Sequence, residues 1–337
     1  MKVVIMAGGR GTRFWPWSVK DKPKQFLSLM SDESLLQQTY NRFLEWLPPE
    51  KIFIVTLNEY VPLVKEQVAG IEPSNLIIEP LQRDTGPCMA LTALKFLREN
   101  DDEVFAAVPA DHHIPEHKDL PDLFKIGENQ AEIGRSIVTL GMRPTRPEPG
   151  YGYILVDSEA EQKNQVWPVK AFIEKPNMEK AKKLLDYENV FWNSGIFFWK
   201  PSTIEHYFRN LSPDIWEELK DCTNISEAQY ALLPKISVDY AILEKAETIF
   251  MVPACFHWDD VGNWSAWERL HEEKTSDNNL IIGNVHVLST NNCIIKSDEQ
   301  KTIVIGVEDL IIVSTTEGLL VCHKTQEQAI KNILDNM

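Results

Sequence analysis

Val3-Val4-Ile5-Met6-Ala7-Gly8-Gly9-Arg10-Gly11-Thr12-Arg13 opens the chain, continues as Phe14-Trp15-Pro16-Trp17-Ser18 and reaches Pro23-Lys24-Gln25-Phe26. The apolar run from residue 3 reads as a buried strand that begins the fold at once. It breaks into Gly8, Gly9 and Gly11, a composition suited to a loop whose backbone approaches a ligand closely. Arg13 and Lys24 place fixed positive charges just beyond it. Backbone N–H groups with Arg and Lys nearby are what a polyphosphate requires. Gly-Gly-x-Gly after a strand serves a tight turn equally well. The spacing is not the Walker pattern, because no Gly-Lys-Ser/Thr follows. Nor is it the dinucleotide G-x-G-x-x-G, since Arg13 stands where helix packing asks for a small residue. The loop alone leaves phosphate cradle and turn open, and its surroundings must decide.

Strand and helix patterns alternate through the first half. Ile52–Val55, Leu76–Ile78 and Val104–Val108 read as strands, and 58–68 and 88–97 as helices. Such alternation predicts an α/β fold, a Rossmann-like, mostly parallel sheet with helices on both faces. Ligands in these folds sit at the carboxyl ends of the strands. The glycine loop and Asp111, in Val108-Pro109-Ala110-Asp111-His112-His113, both fall there and can share one crevice. Residues 143–150 are turn-rich. A helix is expected from Asn177 to about Tyr187, Ser202 with Glu205 reads as a capping box, and Ser212 before Pro213 as another helix start. From about Ser276 short apolar runs follow one another without a helix until about Gln326. This predicts a 1–275 catalytic domain and a 276–337 β-rich domain closed by a helix, for which the spacing alone allows a meander.

The 337-residue chain is long enough for a substantial core. No apolar run approaches membrane-spanning length, and the N-terminus lacks the pattern of a secretory signal. The five cysteines are scattered without a C-x-x-C pair, which argues for free thiols in a reducing cytoplasm and against a zinc site. A formal net charge of −16 argues against nucleic acid as a partner. An anionic small substrate then depends on locally concentrated Arg, Lys and metal ions.

Read without context, Asp111 begins a turn or caps a helix. Beside a phosphate loop the better reading is a Mg²⁺ ligand, because Mg²⁺ takes one or two carboxylates together with substrate phosphates. Glu174-Lys175-Pro176 reads by itself as a solvated surface pair. Trp258-Asp259-Asp260-Val261-Gly262-Asn263-Trp264 reads as a turn with solvated acids held by tryptophan packing.

The opening string resembles the signature of the sugar-1-phosphate nucleotidyltransferases, and Trp15-Pro16-Trp17-Ser18 with Pro23-Lys24-Gln25-Phe26 resembles the mannose-1-phosphate guanylyltransferase branch. Val19 stands where that branch usually carries Arg, with Lys20 and Lys22 nearby to replace the charge. Further elements match in the family's order. Glu79-Pro80-Leu81-Gln82-Arg83-Asp84-Thr85-Gly86-Pro87 resembles its guanine-reading segment, with Asp84 in place of Asn. Asp111 matches its metal aspartate, Gly150–Tyr153, Phe172–Pro176 and Trp192–Gly195 its sugar-site elements, and Trp258–Trp264 its second metal element. Ser237–Lys245 also matches, with Asp239 placed near the sugar.

The resemblance implies transfer of GMP from GTP to mannose 1-phosphate, giving GDP-mannose, with Mg²⁺ as cofactor. It implies Asp111 and Asp260 as metal ligands and Arg13 and Lys24 on the leaving phosphates. Lys175 would hold the attacking phosphate. The nucleotide would meet Ala7, Gly8, Gly9, Gly11, Thr12, Gln82, Arg83, Asp84 and Thr85, and the sugar phosphate Gly152, Glu174, Asn193 and Asp260. It further implies a left-handed β-helix at the C-terminus, a cytoplasmic homodimer with no membrane or nucleic-acid partner, and, with no isomerase-like extension, the single-activity bacterial-type form. Two alternatives stay open: a guanylyltransferase for another hexose or heptose 1-phosphate, and a non-catalytic relative that binds nucleotide-sugar and regulates a partner.

Overall fold

A computed structural model describes residues 1–157, 165–222 and 225–335, the side chains of residues 299 and 300 apart. Among them no helix is long and apolar enough to cross a membrane. The opening run forms β1 (Lys2–Met6), in which Val3, Val4 and Ile5 are wholly buried. Such a run is apolar throughout because it is covered on both faces. β2 (Ile52–Leu57), β3 (Leu76–Glu79) and β4 (Phe105–Pro109) run parallel with it in the order β3-β2-β1-β4. Met6 lies opposite Pro109, so the segments leaving β1 and β4 start side by side.

Beyond β4 the sheet is mixed. It continues through β5 (Ile137–Met142), β6 (Tyr153–Val156), β7 (Trp167–Ile173), β8 (Val190–Trp199) and β9 (Ile249–Ala254), in the order β4-β8-β5-β9-β7-β6. β5 and β9 are parallel, whereas β8 is antiparallel to β4, β5 and β6. One long strand does this because its start, Val190–Trp192, pairs with β6 and its end, Phe197–Trp199, with β4. The parallel expectation thus describes the half of the sheet that the sequence alternation covered.

Alternation along β8 sends Phe197 and Trp199 to one face and Phe198 to the other. The first two join a core with Phe96 of the helix Thr85–Arg98 and Phe208 of the helix Pro201–Leu211. Phe198 meets Phe124 of the helix Leu120–Ala131, ring centroids 4.9 Å apart. The expected capping box at Ser202 is not formed. Lys200 takes the N-cap position without a side-chain cap bond, and Ser202 donates through its backbone N and Oγ to Asp102 instead. A capping box does form at Ser226 with Gln229.

β10 (Leu280–Leu288), β11 (Ile294–Ile305), β12 (Leu310–Thr315) and β13 (Gly318–His323) make a second sheet. β10, β11 and β12 are parallel neighbours, and only β13 turns back. A meander would be antiparallel, so that alternative falls. Residues 289–293 are too few to carry a straight strand's end back to its start, so β10 must turn a corner. β10 turns at Gly283, where φ is +94° and a Cβ would lie 1.8 Å from Ser297 O.

Packing divides the chain into two compact units. The first holds Met1–Gly8, Thr39–Ala110 and Ile114–Trp258. The second gathers Gly9–Gln38, Asp111–His113 and Asp259–Met337, around a core of Phe14, Leu27, Val261, Trp264, Trp267, Ile294, Ile311 and Ile330.

Candidate active site

The glycine loop is oriented by its carbonyls. Gln25 Nε2 donates to Gly9 O at 2.9 Å and Ser18 Oγ to Arg10 O at 3.2 Å. In a trans peptide the C=O of one residue and the N–H of the next point oppositely. The Arg10 and Gly11 N–H groups therefore each point away from the side chain that holds the preceding carbonyl, and outward N–H groups are what an anion cradle uses. Gly11 has φ +59°, and a Cβ there would lie 2.4 Å from Lys24 Cβ, so no larger residue fits. At Gly9 a Cβ would meet nothing within 4 Å. Arg13 Nε is buried with no hydrogen-bond partner among the described residues. Ala7 is scaffold, its N–H bonded to Val55 O and its carbonyl accepting from Thr56 Oγ1. Arg10, Thr12 and Ser18 line a cavity of about 260 Å³ with Lys20 and Asp335; Lys20 thus supplies a charge beside Val19.

Asp111 and Asp260 belong to segments that the backbone pairs directly. His113 N donates to Asp259 O at 2.9 Å, and Asp259 N to His113 O at 3.1 Å. Lys24, only 4% exposed, completes the junction. Its Nζ lies 2.7 Å from Asp111 Oδ2, 2.7 Å from Asp260 O and 3.0 Å from Val261 O. An ammonium has three donors, and all three are used here rather than left free for a phosphate. Burial alone would raise Asp111, but the Lys24 ammonium, with His112, outweighs it and holds the carboxyl below its ordinary range.

The adjacent acids divide their work. Asp259 is buried, accepts from Val261 N and pairs with Arg269 at 3.0 Å. Asp260 is more open and accepts from Gly262 N. Val261 between them and the helix that follows has φ +46°, a left-handed conformation that a β-branched residue adopts only where its surroundings enforce it.

In the segment after β3, Asp84 has φ +68° and caps the helix Thr85–Arg98 by accepting from Thr85 N at 2.8 Å. Thr85 Oγ1 accepts from Val238 N, a bond that still leaves the hydroxyl its O–H to donate. Arg83 Nε is buried without a partner among the described residues. Glu79 opens the segment matched to guanine reading but has no role of its own there. It is 4% exposed, accepts from Tyr230 OH at 2.7 Å, and burial pushes it up to about 7. Its signal was an acid closing a buried strand.

Of the expected sugar residues, Gly152, Glu174, Lys175 and Asn193 converge within the first unit, whereas Asp260 belongs to the second. A Cβ on Gly152 would lie 2.5 Å from Glu174 Oε2 and 3.3 Å from Asn193 Cβ, so the glycine admits the Glu174 carboxylate. Lys175 pairs with Glu174 and has φ +43°. Asn193 Oδ1 already accepts from Gly195 N and Thr139 Oγ1, and Nδ2 donates to Asp239 Oδ1 at 3.1 Å. That leaves the amide one N–H, not both a donor and an acceptor. Burial, and then the Glu174 carboxylate, push Asp239 upward; it belongs to this cluster as firmly as Asn193.

Comparison with known proteins places these features in a family. The nucleotidyl transferase model matches residues 2–277, and the MannoseP isomerase/GMP-like β-helix domain model matches residues 283–337. The mannose-1-phosphate guanylyltransferase of Escherichia coli is 35% identical over 346 residues, 98% of this chain and 73% of that one. The alginate biosynthesis protein AlgA of Pseudomonas putida is 34% identical over 346 residues, 99% of this chain and 71% of that one. A crystal structure from Thermus thermophilus, described as mannose-1-phosphate geranyltransferase, superposes with a TM-score of 0.86 at 32% identity, covering 99% of this chain and 98% of that one. With its glycine loop, its bridged aspartates and a parallel-coiled C-terminal sheet, the chain belongs to the nucleotidyl transferase family and carries the GMP-like β-helix domain behind it.

Proposed function

We propose that the chain transfers GMP from GTP to α-D-mannose 1-phosphate, giving GDP-mannose and pyrophosphate. The observation that carries this reading is the glycine loop, its Gly9 and Arg10 carbonyls held by Gln25 and Ser18, together with a buried Arg13 Nε that has no partner among the described residues. The activity for which the Escherichia coli relative is named supplies the base and the sugar. Residues 1–275 are proposed as the catalytic domain and 276–337 as the β-rich domain with its terminal helix.

The attacking sugar phosphate oxygen is anionic at neutral pH, so no general base is needed. What remains is to bring two anions together and stabilise charge building on pyrophosphate, which is positioning and preorganised charge. Arg13 holds the leaving phosphates with the loop amides of Arg10 and Gly11, and Gly9 and Thr12 complete the loop. Lys24 fixes Asp111 and the Asp260 backbone. Lys175 holds the attacking phosphate, while Glu174, Asn193 and Gly152 shape the sugar recess. Gln82, Arg83, Asp84 and Thr85 meet the base, where a carboxylate at 84 accepts from guanine N1–H and its 2-amino group and adenine offers no such pair.

Nucleotidyl transferases commonly use a divalent cation, and we propose Mg²⁺ held by Asp111 and Asp260. The donor set fits: both are hard oxygen ligands, and an ammonium already rests on Asp111. When bound, the ion supplies charge neutralisation at the phosphates.

Pyrophosphate release from each common nucleoside triphosphate, with mannose 1-phosphate and Mg²⁺ and an EDTA control, tests the reading. Metal-dependent release with GTP alone is expected. Release with another triphosphate overturns the base assignment, and release with none overturns the activity.

A further inference from the structure

We infer that the C-terminal β-rich segment is a positioning element of the Asp260 loop, acting through Glu327 and Lys324. The inference rests on Asp260 being a metal ligand. The loop 259–263 is fixed at one end by the backbone bridge to His113. At its other end the chain enters the helix Trp264–Arg269, capped by Asn263.

That helix is gripped from the tail by two polar ties. Ser265 N donates to Glu327 Oε2 at 3.1 Å. Lys324 Nζ lies 2.9 and 2.8 Å from the two oxygens of Glu268, and 3.1 Å from Asn292 Oδ1. Glu268 is only 8% exposed, so this pair is little screened by water.

Apolar contacts continue the grip. Trp264 and Trp267 are wholly buried among Leu280, Ile294, Ile311 and Val313. The signature's own tryptophans seat there too. Trp17 stacks on Trp264 at 6.1 Å and meets Trp267 edge-on at 5.4 Å, with Lys296 Nζ 4.1 Å from the Trp17 ring centroid. Trp15 packs so closely on Gly318 that a Cβ there would lie 2.8 Å from the ring, and Thr315 Oγ1 donates to Pro16 O at 3.2 Å. The Trp15-Pro16-Trp17 element therefore joins the phosphate loop to the β-coil.

Left-handed Val261 gives the grip its purpose. A strained backbone persists only where the surroundings over-determine it, and the Val261 side chain is wholly buried in the core that β10–β12 complete. Loosening the tail lets the loop relax and Asp260 turn from its aim. Sub-ångström misplacement of a reacting group or its ligand carries large rate penalties. Gly152, Glu174, Lys175 and Asn193 belong to the first unit and take part in none of these contacts.

The test uses the full chain and Mn²⁺ alone, with free ion read by electron paramagnetic resonance, alongside thermal melts and steady-state kinetics. Glu327→Ala is expected to weaken Mn²⁺ binding about tenfold, in the range for groups that orient metal ligands. Its kcat should fall comparably and its KM for mannose 1-phosphate stay within about twofold of wild type. Glu327→Gln, which keeps the acceptor oxygen, should restore both. Lys324→Met gives a second, independent reading in the same direction. Unchanged Mn²⁺ affinity in both Glu327→Ala and Lys324→Met overturns the inference, as does no rescue by Glu327→Gln. Asp260→Asn separates the two layers: if it retains wild-type Mn²⁺ affinity, the metal assignment itself fails, whatever Glu327 does.

Discussion

Glu79 illustrates what a single residue carries that its letter does not. An acid after Leu76-Ile77-Ile78 is plain in the sequence, but its burial and its bond to Tyr230 join positions remote in the chain. Burial raises its folded-state pKa from an ordinary 4.5 to about 7, so folding favours the neutral form. The stability this contributes is complete below about 4.5 and is lost as pH rises through about 7, with a full size of about 3 kcal/mol. The wild-type melting temperature should therefore fall between about pH 6 and about pH 8.5. Glu79→Gln keeps an acceptor for Tyr230 and should shed this part of the fall, melting above wild type at the upper pH. An undiminished decline in the variant would assign the titration to other groups. Left-handed Asp84, Lys175 and Val261 were equally hidden. Aspartate tolerates φ > 0, but nothing in lysine or valine asks for it, and at Val261 the conformation is held within a core whose members are distant in sequence.

At the scale of elements, the sequence was legible where the signal is local. The strands after residues 52, 76 and 104, the turn-rich 143–150 and the helix after Asn177 follow from apolar runs, prolines and an N-cap, and the structure has them. Ser202 misled because the residue that takes its hydrogen bonds, Asp102, lies on another loop. The spacing also left meander and coil undivided, because strand direction is a tertiary property; Gly283 marks the corner only once its neighbour Ser297 is known. The glycine loop is the reverse case, a local signal with a long-range cause. Gly11 is glycine both for its φ of +59° and because Lys24 Cβ and N occupy the place of a Cβ. Gly11→Ala should therefore push the loop from the Lys24 segment, destabilising by about 1–3 kcal/mol. Equilibrium binding of GTP should weaken at least tenfold in the folded variant. Wild-type affinity there would show that the loop does not cradle phosphate.

For the whole molecule, the change of character near residue 276 is written in the sequence, but the company the tail keeps is not. Gly9–Gln38 and Asp111–His113 pack with the last quarter of the chain, because Phe14 and Leu27 share a core with Trp264, Ile294 and Ile311. Side chains of the signature loop thus await residues made last, a non-local arrangement that slows folding. Charge is the other whole-molecule property. The net −16 repels GTP and a sugar phosphate at long range, while Arg13, Lys175 and the proposed metal attract them at contact. Salt separates the two, since the screening length falls from about 30 Å at 0.01 M to about 10 Å at 0.1 M. Contact pairs a few ångströms apart are much less weakened than the repulsion of the whole surface. At fixed free Mg²⁺, kcat/KM for GTP should rise about twofold or more between these salt concentrations before declining at higher salt. A steady fall from the lowest salt would mean that the local positive field already governs approach, and that the acidic surface lies where the incoming triphosphate does not feel it.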